Sequence, residues 1–153
     1  MLNHSHTVLA VDDEPISLRM LERLLRDHYT VLTASSGDQA LAILQSESVS
    51  LILTDQRMPG MFGTELLRRS QVLYPDMVRI LITATADSDT FIDAIKNSGA
   101  SRVIAKPWDP AKLLQTVQEA LTKYESRLEG KKALNRLKQA NEDMQRMASD
   151  DRE

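Results

Sequence analysis

Leu51-Ile52-Leu53-Thr54-Asp55, continued by Gln56-Arg57-Met58-Pro59-Gly60, decides how this chain folds. A short apolar run that stops on a carboxylate and meets Pro and Gly reads as a buried strand delivering Asp55 to the edge of a sheet. Runs of the same kind recur on both sides of it. Residues 8–11 predict a first strand that ends in Asp12-Asp13-Glu14-Pro15, and Pro15 suits the first turn of a helix, where its missing N–H costs nothing. Ile16, Met20, Leu21, Leu24 and Leu25 then recur at helical spacing.

Residues 29–34 predict a second strand, with Ser36 and Gln39 placed as a capping box for a helix carrying Ala40, Leu41, Ile43 and Leu44. The opening stretch supplies the third strand, residues 50–54, and a helix over Gly63–Leu73 stops before Pro75. Val78–Thr83 is a fourth strand, apolar except for Arg79, and residues 87–97 form a fourth helix closed by Ser98-Gly99. Arg102–Ala105 is a short fifth strand ending on Lys106-Pro107-Trp108, and a last helix begins near Asp109-Pro110. This alternation predicts an α/β fold, a doubly wound parallel sheet covered on both faces, whose strands are expected to be apolar on both sides, as the first, third and fourth are.

The 153 residues suffice for one domain with a real core plus an appendage, and 42% hydrophobic with 27% charged residues is ordinary globular composition. The absence of cysteine excludes disulfides and thiolate metal sites. A net charge of −3 gives no basis for direct nucleic-acid binding by this chain. No apolar run approaches the roughly 20 residues of a membrane span, and residues 1–7 lack the apolar core of a signal peptide, so the expectation is a cytoplasmic protein off the membrane. Residues 1–6, with His4 and His6, read as a disordered, solvated terminus.

In an open parallel sheet the binding crevice lies beyond the carboxyl ends of the strands. Here those ends carry Asp12 and Asp13, Asp55, Thr83 with Ala84, and Lys106. Two carboxylates about 4 Å apart repel by roughly 4 kcal/mol at an effective dielectric near 20, so three together call for a cation or a raised pKa. A hard divalent ion answers this and leaves a carboxylate oxygen free to attack phosphorus. Lys106 and Thr83 then suit the oxygens of a phosphoryl group on Asp55. Alone, each of these residues has an ordinary explanation, a turn former or a surface charge. Their convergence at four strand ends points to phosphoryl transfer to Asp55.

The pair Asp12-Asp13, Thr54-Asp55 with Met58-Pro59-Gly60 behind it, Ile82-Thr83-Ala84, and Gly99-Ala100-Ser101 before Lys106-Pro107 resemble the receiver domain of two-component response regulators. The resemblance covers residues 7–123 in order and spacing. It implies the flavodoxin-like (βα)5 fold with strand order 2-1-3-4-5, Mg²⁺ or Mn²⁺ as cofactor, and a sensor histidine kinase or phosphotransfer protein as partner. It further implies that Asp13 and Asp55 ligate the metal through side chains, Arg57 through its backbone carbonyl, and Asp12 mostly through bound water. Thr83 and the Ala84 N–H would bind phosphate, and Lys106 would pair with it. Receivers commonly carry an aromatic three residues before the lysine; Val103 stands there, which puts a ring-flip readout in doubt. Lys106-Pro107-Trp108 resembles the variant in receivers of hydrogenase-operon activators and HD-GYP phosphodiesterase regulators. Pro107 is expected in a cis peptide bond and Trp108 in packing or at an interface.

Residues 124–153 read as a helical coiled-coil linker or dimerisation tail. Val117, Leu121, Tyr124 and Leu128 continue the last helix at heptad spacing, and Leu134, Leu137, Asn141, Met144 and Ala148 repeat it after an interruption near Gly130. The expectation is a parallel homodimer with Asn141 fixing register and Gly130 marking a break or stutter. The alternative for the tail is a solvated linker. For the whole chain, the alternatives are a pseudo-receiver acting as a scaffold without phosphorylation and a metal-dependent phosphatase with an aspartyl nucleophile. The chain is expected to be the excised receiver of a longer regulator, with a complete single-domain regulator as the other reading.

Overall fold

The structure, a computed structural model, describes residues 6–84 and 89–150. Strands β1 (Thr7–Val11), β2 (Thr30–Ala34), β3 (Leu51–Asp55), β4 (Val78–Thr83) and β5 (Arg102–Ala105) alternate with helices α1 (Pro15–Leu25), α2 (Gly37–Ser46), α3 (Gly63–Leu73), α4 (Asp89–Ser98) and α5 (Pro110–Asp150). The strands form one parallel sheet in the order β2-β1-β3-β4-β5, as the resemblance implied. The three inner strands bury nearly every residue, whereas β2 and β5 at the edges do not, which is why only the inner ones read as continuous apolar runs.

Several element ends differ from the sequence reading for local reasons. Tyr29 falls outside β2 because its N–H closes the end of α1 on the Leu25 carbonyl, 3.0 Å away. β3 runs on through Asp55 itself, whose register partner is Ile82 on β4. Of the apolar positions of α1, Leu21 and Leu25 are buried, while Ile16 and Met20 face solvent. Ser36 caps α2 by accepting the Gln39 N–H at 3.1 Å, but Gln39 reaches back to the N–H of Ser35 rather than of Ser36. The predicted start of α4 at Asp87 lies outside the described residues, and Gly99 follows its end with φ +79°. His6, expected in a solvated terminus, is half-buried: its Nδ1 lies 3.0 Å from Ser50 Oγ and its carbonyl accepts the Thr30 N–H, extending the β1 edge by one residue.

Arg79, the one charged residue of β4, is buried without breaking the strand. Its guanidinium donates to three carbonyls, Gly99 at 3.1 Å, Tyr74 at 3.1 Å and Pro75 at 3.4 Å, so it ties the chain before β4 to the turn after α4.

By compactness the chain divides into two units, Met1–Leu121 and Thr122–Glu153. Leu113, Val117, Ala120 and Leu121 of α5 are buried in the first unit. Val117 and Leu121 therefore do not belong to a seam awaiting a partner; the apolar stripe they sit on covers the domain's own core. In the second unit the helix runs through Gly130 without interruption, since one glycine costs a helix only about 1 kcal/mol relative to alanine. Gly130 is not a break. Leu134, Leu137, Met144 and Met147 are exposed there.

Candidate functional site

The parallel register places the last residues of β3 and β4, and the first residues after β1 and β5, at one edge of the sheet. Asp55, Thr83, Ala84 and Lys106 line a crevice of about 160 Å³ together with Glu14, Gln56 and Arg57. Lys106 Nζ lies 2.8 Å from Asp55 Oδ1. The carboxylates of Asp12, Asp13 and Asp55 offer oxygens that all lie within 4.8 Å of one another. All the site residues expected from sequence thus meet at one edge.

Burial sets the electrostatics. Asp12 is buried, and desolvation holds its carboxyl above the ordinary aspartate range; the N–H of Glu14, 3.0 Å from its Oδ1, opposes this, while the charges of Asp55 and Asp13 add to it. Burial pushes the Lys106 ammonium down, yet its hydrogen bond to Asp55 and the charges of Asp55, Asp12 and Glu14 outweigh that and leave it raised. The cluster thus carries more negative charge than its single lysine neutralises.

Thr83 is buried at the end of β4, Ala84 is exposed, and the Lys106 N–H donates to the Thr83 carbonyl at 2.9 Å, joining the two strand ends. The Lys106-Pro107 peptide is cis, as expected, and Trp108 is half-buried.

Three residues escaped the sequence reading. Glu14 lines the crevice from the N-cap of α1; its place beside Asp13 was the available signal. Gln56 binds the start of α3 through both its carbonyl and its side chain, and Gly63 packs directly on the Asp55 carbonyl. The signal for both was Phe62, which occupies the N-cap of α3 without a side-chain acceptor.

A five-stranded doubly wound sheet with an acidic cluster and a lysine at its carboxyl edge defines a flavodoxin-like domain of the phosphoacceptor type. The family model described as response regulator receiver domain matches residues 8–118, and the chain belongs to that family. The hydrogenase transcriptional regulatory protein HoxA of Cupriavidus necator is 43% identical over 121 residues, 79% of this chain and 25% of that protein. This chain therefore spans about a quarter of that relative's length. Sporulation initiation phosphotransferase F of Bacillus subtilis is 34% identical over 118 residues, 76% of this chain and 91% of that one. Among solved structures, the signal receiver domain of an HD domain-containing protein from Pseudomonas fluorescens Pf-5 is 34% identical, with a TM-score of 0.75 over 79% of this chain and 98% of that chain.

Proposed function

We propose that Asp55 accepts a phosphoryl group from a phosphohistidine of a sensor histidine kinase or phosphotransfer protein, in a reaction supported by Mg²⁺ or Mn²⁺. The observation that carries this reading is the pairing of Lys106 with Asp55 at 2.8 Å inside a cluster of three carboxylates. The residues fit such an ion: all the donors are hard oxygens, and they are close together. Asp13 and Asp55 would hold it by carboxylate, Arg57 by its carbonyl, and Asp12 through water. When bound, the ion neutralises the carboxylates and the incoming phosphoryl oxygens.

In the transfer, an Asp55 carboxylate oxygen forms a bond to phosphorus as the bond from phosphorus to the donor's imidazole nitrogen breaks, and the electron pair leaves with that nitrogen. Thr83 and the Ala84 N–H donate to the phosphoryl oxygens, and Lys106 supplies a point charge beside them. Incubation with Mg²⁺ and acetyl phosphate, read by intact mass, tests this. One phosphoryl adduct is expected on the native chain and none on Asp55→Ala. No adduct on the native chain would favour the pseudo-receiver, and fast turnover of many phosphoesters the phosphatase.

We place the receiver at residues 7–123, supported by the family match, and the tail at residues 124–153. A sensor histidine kinase or phosphotransfer protein as partner favours the cytoplasm, and among the described residues no helix is long and apolar enough to cross a membrane. The tail forms a parallel homodimer in this reading, supported by exposed Leu134, Leu137 and Met144 at heptad spacing with Asn141 between them. An isolated polar helix of this length would be marginal, which favours burial of that seam. The intact chain is expected to sediment as a dimer at micromolar concentration and Leu137→Asp as a monomer; a monomeric intact chain removes the dimer.

A further inference from the structure

We propose that Gln56 is a positioning residue for the site, holding the segment between Asp55 and Arg57 by acting as the missing cap of α3. This rests on the reading of Asp55 and Arg57 given above. A helix leaves its first N–H groups without intrahelical acceptors, and the N-cap Phe62 has no side-chain acceptor to offer. Gln56 supplies both from seven and eight residues upstream. Its carbonyl accepts the Gly63 N–H at 2.9 Å, and its Oε1 accepts the Thr64 N–H at 2.9 Å. Its Nε2 donates to Thr64 Oγ1 at 3.3 Å, and its own N–H donates to the Ile82 carbonyl of β4 at 3.1 Å.

Every polar group of Gln56 is thus engaged, and the residue is almost fully buried. Its peptide is anchored to β4 on one side and to α3 on the other, and it joins the phosphoacceptor directly to Arg57. The loop of residues 57–62 leaves from Gln56 and returns to its carbonyl at Gly63 and to its side chain at Thr64, so the side chain adds a second closure to the loop from which the Arg57 carbonyl would reach the metal. The residue type matters. An apolar side chain of equal length leaves the Thr64 N–H without its acceptor, and asparagine is a methylene too short to span the gap. Glutamate keeps the acceptor and adds favourable charge at a helix N-terminus.

Calorimetric titration with Mg²⁺ alone tests the proposal well below the unfolding temperature, where a role confined to stability would leave affinity unchanged. Gln56→Met and Gln56→Asn are expected to bind Mg²⁺ about tenfold more weakly than the native chain, the lower end of what losing a group that orients a metal ligand costs. Gln56→Glu is expected to bind at least as tightly as the native chain. If Gln56→Met does not fold, Gln56→Asn and Gln56→Glu still decide the matter. Native affinity in a folded Gln56→Met or Gln56→Asn overturns the proposal, as does equal weakening in Gln56→Glu. If the native chain itself binds no Mg²⁺ and takes no phosphoryl group, the reading of the site fails; if it does both and the variants match it, only the role of Gln56 fails.

Discussion

Gly63→Ala is expected to lose stability and phosphoryl uptake together. A Cβ at this position would overlap the Asp55 carbonyl oxygen, and would stand 3.1 Å from the Asp55 carbonyl carbon and 2.9 Å from Leu81 Cδ1. The obstacle is mostly backbone of an inner strand, which cannot swing aside, and the Gly63 N–H is itself committed to the Gln56 carbonyl. The start of α3 must therefore lift or the end of β3 must shift. We expect a loss of about 3 kcal/mol in urea unfolding, at the upper end of overpacking costs. A marked fall in the rate of adduct formation with acetyl phosphate should accompany it, because the residue displaced is the phosphoacceptor. Gly37→Ala is the matched control. There the tightest contact of the new Cβ is Met61 Sδ at 2.6 Å, on a flexible side chain that can turn away, and Met61 Cβ at 3.1 Å need give only a few tenths of an ångström, so the cost should be about 1 kcal/mol with uptake unchanged. Native stability in Gly63→Ala would show that α3 does not rest on Asp55 as described.

The contrast shows which parts of the molecule its sequence discloses. Inner strands are legible because a strand buried on both faces must be apolar throughout, and once their alternation with helices is seen, the carboxyl edge and its Asp12, Asp13, Asp55, Thr83 and Lys106 follow. Burial of Arg79 is not legible in the same way. Its three carbonyl partners come from residues 74, 75 and 99, and which carbonyls stay unpaired at turns depends on the loop paths. Gln56 is hidden for a similar reason: its partners at Gly63 and Thr64 are set by how the loop after Asp55 returns. Periodicity also misassigns ownership. Val117 and Leu121 share a heptad spacing with Tyr124 and Leu128, yet they are consumed by the domain's own core, because spacing records that a face is buried and not what buries it. Likewise Ile16 and Met20 keep helical spacing on α1 but stand in solvent.

Lys106→Ala is expected to separate the chemistry at Asp55 from its consequences. Lys106 Nζ sits 2.8 Å from Asp55 Oδ1, with 32% of the lysine side chain and 11% of the aspartate side chain exposed. The lysine is about a third exposed but Asp55 is buried, so loss of the pair should cost about 2 kcal/mol, between a screened surface pair and a fully buried one. Saturating Mg²⁺ should then narrow the gap between variant and native chain, since an ion bound only to the folded state stabilises it more the tighter it binds, and carboxylates stripped of their lysine are expected to bind it more tightly. Acetyl phosphate should still modify Asp55, because the nucleophile and the metal ligands are untouched. What should be lost is the response. No aromatic stands at Val103, which is 37% exposed on the edge strand β5, so a buried ring cannot report the phosphoryl group. One connection among the described residues is the Lys106 N–H on the Thr83 carbonyl, which joins the ends of β4 and β5, and the proposed roles of Lys106 and Thr83 would draw both ends to phosphate. Amide exchange in β5 and at Thr83 should therefore slow on phosphorylation of the native chain and stay unchanged in Lys106→Ala. An equal slowing in both would mean that the signal leaves Asp55 without Lys106, and a stability gap that Mg²⁺ does not narrow would mean that lysine and metal do not serve the same carboxylates.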